Sequence, residues 1–348
     1  MKKWKRAIPI LAGLLLATGT LSACGNGKQE LHVYNWGDYI DMDTVTTFEK
    51  EYNVKVIYQT FDSNEAMYVK VKDSKGAYDV LVPSDYMIER MIKEDMLAHI
   101  DFGNVPNVEH VDPRFRSTSH DPTGAYSIPY TWGAVGIMYN QAMVTEPVDS
   151  WSILWDEAYS GKIFMYDSMR DSIGATLKFL GYSINTRSQA ELDEATQALI
   201  VQKPLVQAYL TDPIKDKMIG NEGALAIVYS GDASYCQEFN EDIEFAIPKE
   251  GSNIWWDGVV IPKGAPHKEL AEKFINFLLE PEIAAQNAEF TGFATANLAA
   301  IPLIDPELTS NHVFLPTDEE IENCEFFQDL GDFQKNFDEA WTKIKMVK

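Results

Sequence analysis

The sequence predicts an α/β protein of two doubly wound lobes joined by two extended crossings, on three observations. Strand-like and helix-like segments alternate over residues 31–94 and again over 162–229. Two apolar runs without helical periodicity, 134–139 and 255–262, read as strands that carry the chain across and back. With 348 residues, the chain also exceeds the usual size of one hydrophobic core.

The elements follow in order. Leu31-His32-Val33-Tyr34 is a short strand pattern that runs into Asn35-Trp36-Gly37-Asp38-Tyr39. Residues 42–52 read as a helix and Val54-Lys55-Val56-Ile57-Tyr58 as a strand. Asp62 with Glu65 three residues on predicts a capping pair opening a helix over 63–74. Tyr78-Asp79-Val80-Leu81-Val82 is a buried strand stopped by Pro83-Ser84, with a helix over 85–94 behind it. The second alternation runs from a strand at 162–166 through helices at 170–181 and 189–202 to Ala224-Leu225-Ala226-Ile227-Val228-Tyr229, which ends in Ser230-Gly231-Asp232. Phe245-Ala246-Ile247-Pro248 and the 255–262 run bring the chain back, and amphipathic helices at 268–279 and 281–289 rejoin the first lobe. Mainly parallel sheets are expected, with ligands gathering at the carboxyl ends of the strands. The division is 1–23 a signal segment, 24–30 a flexible tether, 31–134 with 260–308 the first lobe, and 135–259 with 309–348 the second.

The N-terminus carries a processing pattern. Lys2, Lys3, Lys5 and Arg6 precede an apolar core at 8–16 that is too short to span a bilayer, and Leu21-Ser22-Ala23-Cys24 follows. That pattern is similar to the bacterial lipoprotein signal, which makes Cys24 the expected lipid-modified residue and a lipid the expected membrane attachment. Removing residues 1–23 takes away four positive charges and no negative ones, so the formal net charge goes from −24 to −28. Nucleic acid is excluded as a partner on that balance, while small cations are attracted. Six histidines, at 32, 99, 110, 120, 267 and 312, have no metal-ligand spacing, so no metal and no other cofactor is expected. Cys236 and Cys324 read equally as a pair or as separate thiols.

Two stretches set aromatic rings beside a carboxylate: Trp36-Gly37-Asp38-Tyr39 and Trp255-Trp256-Asp257. Either alone is ordinary core tryptophan beside a solvated aspartate. Together, at strand ends in a cleft, they suit a ligand with cationic ends and a hydrocarbon middle. On this reading the two stretches face each other when the lobes close. Trp36, Trp255 and Tyr86 cover methylenes, Asp38, Asp171, Asp232 and Asp257 take ammonium groups, and Ser84 or Ser168 adds a hydroxyl acceptor. Asp171 reads equally as a helix N-terminal charge, and Asp232 equally as a turn residue. Asp85 reads as a helix cap and Trp132 as lobe packing. Nucleophile elbows, phosphate-cradling loops and His-Glu-x-x-His are all missing from the sequence, so a binding protein is expected and not an enzyme.

Ordered landmarks along the chain then resemble a known family. They are Tyr34-Asn35-Trp36-Gly37-Asp38-Tyr39, Ser63-Asn64-Glu65-Ala66-Met67-Tyr68, Val82-Pro83-Ser84, Ser127-Ile128-Pro129-Tyr130, Trp255-Trp256-Asp257 and Asn297-Leu298-Ala299-Ala300. They resemble the substrate-binding lipoproteins of bacterial polyamine ABC importers, which bind spermidine or putrescine. The resemblance implies a type II periplasmic-binding-protein fold, a place on the outer face of the cytoplasmic membrane, and delivery of the ligand to ABC permease subunits. It also implies a site of Trp36, Gly37, Asp38, Tyr39, Ser84, Tyr86, Asp171, Tyr229, Trp255 and Asp257. Departures from the family concern Ser168, where spermidine-binding members carry a carboxylate, and Asp232, where a putrescine-preferring relative has one. Phe293 keeps a family ring without its hydroxyl, and Phe326-Phe327 stand where the family has Trp-Gln, with Gln328 one place on. Spermidine and putrescine both stay open. A receptor for another small organic cation, or a surface protein on the same fold, is the alternative.

Overall fold

The computed structural model describes residues 28–347, so the expected signal segment, Cys24 and the first part of the tether lie outside the described residues. The first lobe is built from β1 (Gln29–Trp36), α1 (Met42–Glu51), β2 (Val54–Phe61), α2 (Asn64–Asp73), β3 (Val80–Leu81) and α3 (Asp85–Lys93). The long strand β4 (Ser127–Asn140) leads to β5 (Ile163–Tyr166), α4 (Met169–Phe179), α5 (Gln189–Gln202), β6 (Val206–Leu210) and α6 (Pro213–Ile219). Then come β7 (Leu225–Tyr229), α7 (Ser230–Gln237), β8 (Ile243–Ala246), β9 (Ile254–Val260), α8 (Lys268–Leu278), α9 (Pro281–Thr291) and β10 (Ala294–Thr295). Two more helices, α10 (Pro306–Thr309) and α11 (Gln334–Met346), complete the described chain. β1 begins at Gln29, so the expected tether is shorter than 24–30.

One sheet runs through both lobes in the order β2-β1-β3-β9-β4-β7-β5-β6, with β10 and β8 also paired to β4. The expected parallel pairs are present within each lobe: β1 with β2 and β3, and β5 with β6 and β7. Every pair made by β4 and β9 is antiparallel, because these two strands run between the lobes in opposite directions. β4 is buried along almost its whole length, which explains its continuous apolar pattern.

The pairing register moves the lobe boundary. β9 pairs residue by residue with the first half of β4, Val260 with Ser127 through Ile254 with Ala134, whereas β7 and β8 take the second half, from Val135 onward. The chain therefore re-enters the first lobe at Ile254, not at residue 260. A third connection lies beside these two, since Ile254 N donates to Glu325 O at 3.0 Å and Glu325 N to Ser252 O at 2.9 Å.

Local chemistry accounts for the helix starts. Ser63, not Asp62, caps α2 by accepting from Ala66 N, because its extended backbone aims the hydroxyl at the open helix end. Asp41, Ser168 and Ser188 cap α1, α4 and α5 in the same way. In the first lobe, Phe48 of α1 meets Phe274 and Phe277 of α8 at ring separations of 4.9 and 5.3 Å. Each such fully buried ring stabilises the fold by about 1.5–3 kcal/mol. α11 packs on α4 and α5 and closes the second lobe. Cys236 and Cys324 are separate free thiols.

Candidate functional site

The carboxyl ends of β1, β3 and β7 converge on the start of β9, and the side chains there form a continuous row of rings. Successive centroids are 6.1 Å apart for Tyr130 and Tyr39, 5.8 Å for Tyr39 and Phe293, and 5.1 Å for Phe293 and Trp255. The row continues through Trp255 and Tyr229 at 5.6 Å to Tyr229 and Tyr166 at 5.1 Å. Edge-to-face geometry dominates, as the ring quadrupole prefers. The row spans both lobes, since Tyr39, Phe293 and Trp255 belong to the first and Tyr229 and Tyr166 to the second.

Glycine makes this approach possible at two places. A Cβ on Gly231, in the first turn of α7, would lie 2.3 Å from the Phe293 ring. A Cβ on Gly133 would lie 2.8 Å from Ser230 Oγ and 3.0 Å from the Trp255 ring. Neither position admits a side chain without moving the rings.

Two buried carboxylates flank the row, one on each lobe, and they are built alike. Asp257 on β9 accepts from the Tyr39 hydroxyl at 2.7 Å, and Asp171 in the first turn of α4 accepts from the Tyr229 hydroxyl at 2.9 Å. Only 4% of Asp257 and 5% of Asp171 is exposed. In each case the second oxygen, Oδ1, is buried without a well-formed hydrogen bond, with the Ser84 side chain close to Asp257 and those of Ser168 and Asn253 close to Asp171. A buried, half-satisfied carboxylate is costly, and that cost shows in the proton equilibria. Burial pushes Asp257 up to about 7 and raises Asp171 as well, in both cases against the hydrogen bonds that favour the charged form. Burial, with the neighbouring carboxylate, also holds the Tyr39 and Tyr229 hydroxyls well above the ordinary phenol value, so both remain donors. The indole Nε1 of Trp255 and of Trp36 are likewise buried without partners. The arrangement can take an ammonium group at each end and methylenes against the rings between them.

Most of the expected site residues come together here, although not all as expected. Asp257 stands beside Tyr39 in the first lobe, and Asp171 stands with Tyr229 in the second. The two Trp-Asp stretches are therefore not opposing jaws; the reason is the pairing of β9 with the first half of β4. Asp38 is exposed, in the left-handed backbone region at φ 43°, unlike the buried Asp257 and Asp171. Gly37 is also exposed, and a Cβ there would meet nothing within 4 Å. Trp36 is half-buried, its ring packed on Phe61 at 4.5 Å.

Ser84 caps no helix end with its hydroxyl. Its Oγ accepts from Asn64 Nδ2 at 3.0 Å, and its N–H donates to Asn64 Oδ1 at 3.1 Å. The same Asn64 amide donates to the Tyr86 hydroxyl at 3.1 Å, so Asn64 positions both residues. Ser168 is engaged as the α4 cap, accepting from Asp171 N at 3.4 Å. Asp232 lies in the first turn of α7 and not in a turn, and Lys215 Nζ stands 3.4 Å from its Oδ1. Asp85 is buried, accepts from Tyr86 N at 2.6 Å, and is pushed by burial up to about 8.

Arg170 was not foreseen from the sequence as a site residue. Its buried guanidinium stacks on Phe327 at 4.2 Å and reaches the Tyr86 ring of the first lobe at 5.8 Å. It donates to Gln328 O and Asn185 Oδ1, both at 3.2 Å. Phe327 thus packs on Arg170, while Gln328 is exposed. Among the described residues no cluster of His, Cys, Asp or Glu could hold a metal ion. No described helix is long and apolar enough to cross a membrane.

The sequence matches the bacterial extracellular solute-binding protein family over residues 43–316. It is 38% identical over 347 residues to the spermidine/putrescine-binding periplasmic protein of Escherichia coli K12, covering 99% of each chain. A solved structure from Listeria monocytogenes, assigned to spermidine/putrescine ABC transport, superposes with a TM-score of 0.88 at 43% identity, covering 92% of this chain and 100% of that one. The TpPotD lipoprotein of Treponema pallidum superposes with a TM-score of 0.83 at 29% identity, covering 91% and 99%. The two solved structures share the fold of this chain over more than nine-tenths of its length.

Proposed function

The chain belongs to the bacterial extracellular solute-binding proteins, and from that premise we propose that it is the substrate-binding component of a polyamine importer. It captures putrescine or spermidine between its lobes and delivers it to ABC permease subunits. The observation that carries this reading is the matched pair of buried carboxylates, Asp257 and Asp171, each with one oxygen on a tyrosine and one open. An aliphatic diammonium ion answers each feature in turn. Its ends pair with the open oxygens, and its methylenes lie against Trp255, Tyr229 and Tyr39. Four buried methylenes contribute about 3 kcal/mol. Charge-assisted hydrogen bonds add about 1.5–3 kcal/mol each. Against an association cost of at least about 4 kcal/mol, micromolar binding is within reach.

The Leu21-Ser22-Ala23-Cys24 pattern supports a lipid anchor on Cys24 that holds the protein on the outer face of the cytoplasmic membrane, and the Treponema relative is itself a lipoprotein. Thermal unfolding of the mature protein with putrescine, spermidine, cadaverine and neutral analogues tests the reading. At a hundredfold excess over the dissociation constant, a bound ligand stabilises by about 2.7 kcal/mol. Absence of any response to polyamines would sink it.

A further inference from the structure

Two carboxylates belong to the second-lobe side of the cleft, and they are not equivalent. Asp171 keeps an oxygen without a well-formed hydrogen bond. Asp232 has a resident ammonium group: Lys215 Nζ from α6 lies 3.4 Å from its Oδ1, with 15% of the Asp232 side chain and 27% of that of Lys215 exposed. Asp232 follows Gly231, which abuts the Phe293 ring, and its charge reaches the Tyr166 hydroxyl at the end of the aromatic row. It is therefore a wall of the same cleft whose anionic capacity the protein itself satisfies.

Ser168, the other position on that wall, offers only a hydroxyl, and it accepts from the α4 backbone. Asp171 and Asp257 each keep a buried carboxylate oxygen without a well-formed hydrogen bond, and these are where the ammonium groups of a ligand can be met.

Resting on the polyamine reading above, we infer that Lys215 determines specificity: its ammonium occupies the third cationic position of the cleft, so that the site accepts a diamine and disfavours the third ammonium of a triamine. A triamine entering beside Lys215 would bring a second ammonium group to Asp232, where Lys215 already stands with Asp212 near both. Like-charge juxtaposition in a desolvated site is the usual way a protein rejects a near relative of its ligand.

Calorimetry with putrescine and spermidine on the wild-type protein, Lys215→Met, and Lys215→Met combined with Asp232→Asn tests this. The wild type should bind putrescine more tightly than spermidine. Lys215→Met frees Asp232 and should move the spermidine-to-putrescine affinity ratio at least about tenfold toward spermidine. The double variant removes the freed carboxylate and should return the ratio to the diamine side. A ratio that Lys215→Met leaves unchanged, in a wild-type protein that does bind polyamines, overturns the role of Lys215 and leaves the polyamine reading standing. Binding of neither amine by the wild type overturns both. Should Lys215→Met fail to fold, Asp232→Asn alone leaves the lysine charge bare and should weaken spermidine more than putrescine; the opposite order overturns the inference.

Discussion

Asp257→Asn should make the ligand-free protein more stable while weakening its binding of polyamines. An ordinary aspartate titrates near 3.9, whereas Asp257 is held at about 7 by burial. Folding therefore disfavours its charged form by roughly 4 kcal/mol. Asparagine has no charge to desolvate and still accepts from the Tyr39 hydroxyl through its carbonyl oxygen. Its amide then occupies the position of the open oxygen and adds an unpaired donor, costing about 1–3 kcal/mol. The net gain is about 1–3 kcal/mol, or about 2–6 °C in melting temperature for a chain of this size. Binding moves the other way. Removing one partner of a buried charge pair costs about 2–5 kcal/mol, which weakens putrescine by at least about thirtyfold. Differential scanning calorimetry with and without ligand measures both effects on one sample. An asparagine variant that melts below the wild type without ligand, or keeps its full ligand-induced shift, refutes the reasoning.

Four further outcomes follow from the structure. Asp257, Asp85 and Asp171 all titrate above the ordinary carboxylate value. The folded state thus holds protons that the unfolded chain has released, and ligand-free stability should fall as pH rises from about 4 to about 7. Polyamine binding needs the charged form, so it should strengthen over pH 6–8 and release protons, read as a buffer-dependent enthalpy in calorimetry; proton uptake would contradict the site. Gly231→Ala places a Cβ 2.3 Å from the Phe293 ring; it should weaken binding by about 1–3 kcal/mol through overpacking where the lobes meet, seen as a larger dissociation constant and, by small-angle scattering, a wider cleft. Cys236 is buried and its thiol is pushed by burial up to about 12, so it should label with thiol reagents only after denaturation, and reductant should leave the melting temperature unchanged.

The first-lobe alternation from β1 to α3 was legible because each element there is short, local and punctuated by caps and turns. β4 was legible only in its second half, since Pro129 and the polar Ser127 and Thr131 interrupt the apolar pattern that continues beneath them. β6 and α6 went unread. Their strand is half-exposed along its length, so its alternation is weak, and the helix runs for only seven residues behind Pro213. The relation between the lobes was harder still, because it rests on antiparallel pairs between residues more than a hundred positions apart, such as Asp257 with Thr131. No local pattern states on which half of a long strand a returning strand will lie, and that choice placed Asp257 with Tyr39.

The site divides along the same line. Residue types were readable: aromatic rings and carboxylates at strand ends mark a cationic ligand whatever the tertiary arrangement. The ionic state of each carboxylate was not, because it depends on partners supplied from elsewhere. Asp171 and Asp232 occupy the same place in sequence terms, an acid in the first turn of a helix that follows a strand. Their environments differ because Tyr229 reaches Asp171 from β7 and Lys215 reaches Asp232 from α6. A neutral donor leaves a carboxylate able to take an ammonium group, whereas a resident lysine uses that capacity. Counting acidic residues in such a cleft therefore overstates the charge it can accept. The quantity that matches a ligand is the number of buried carboxylate oxygens left over after the protein has paired its own.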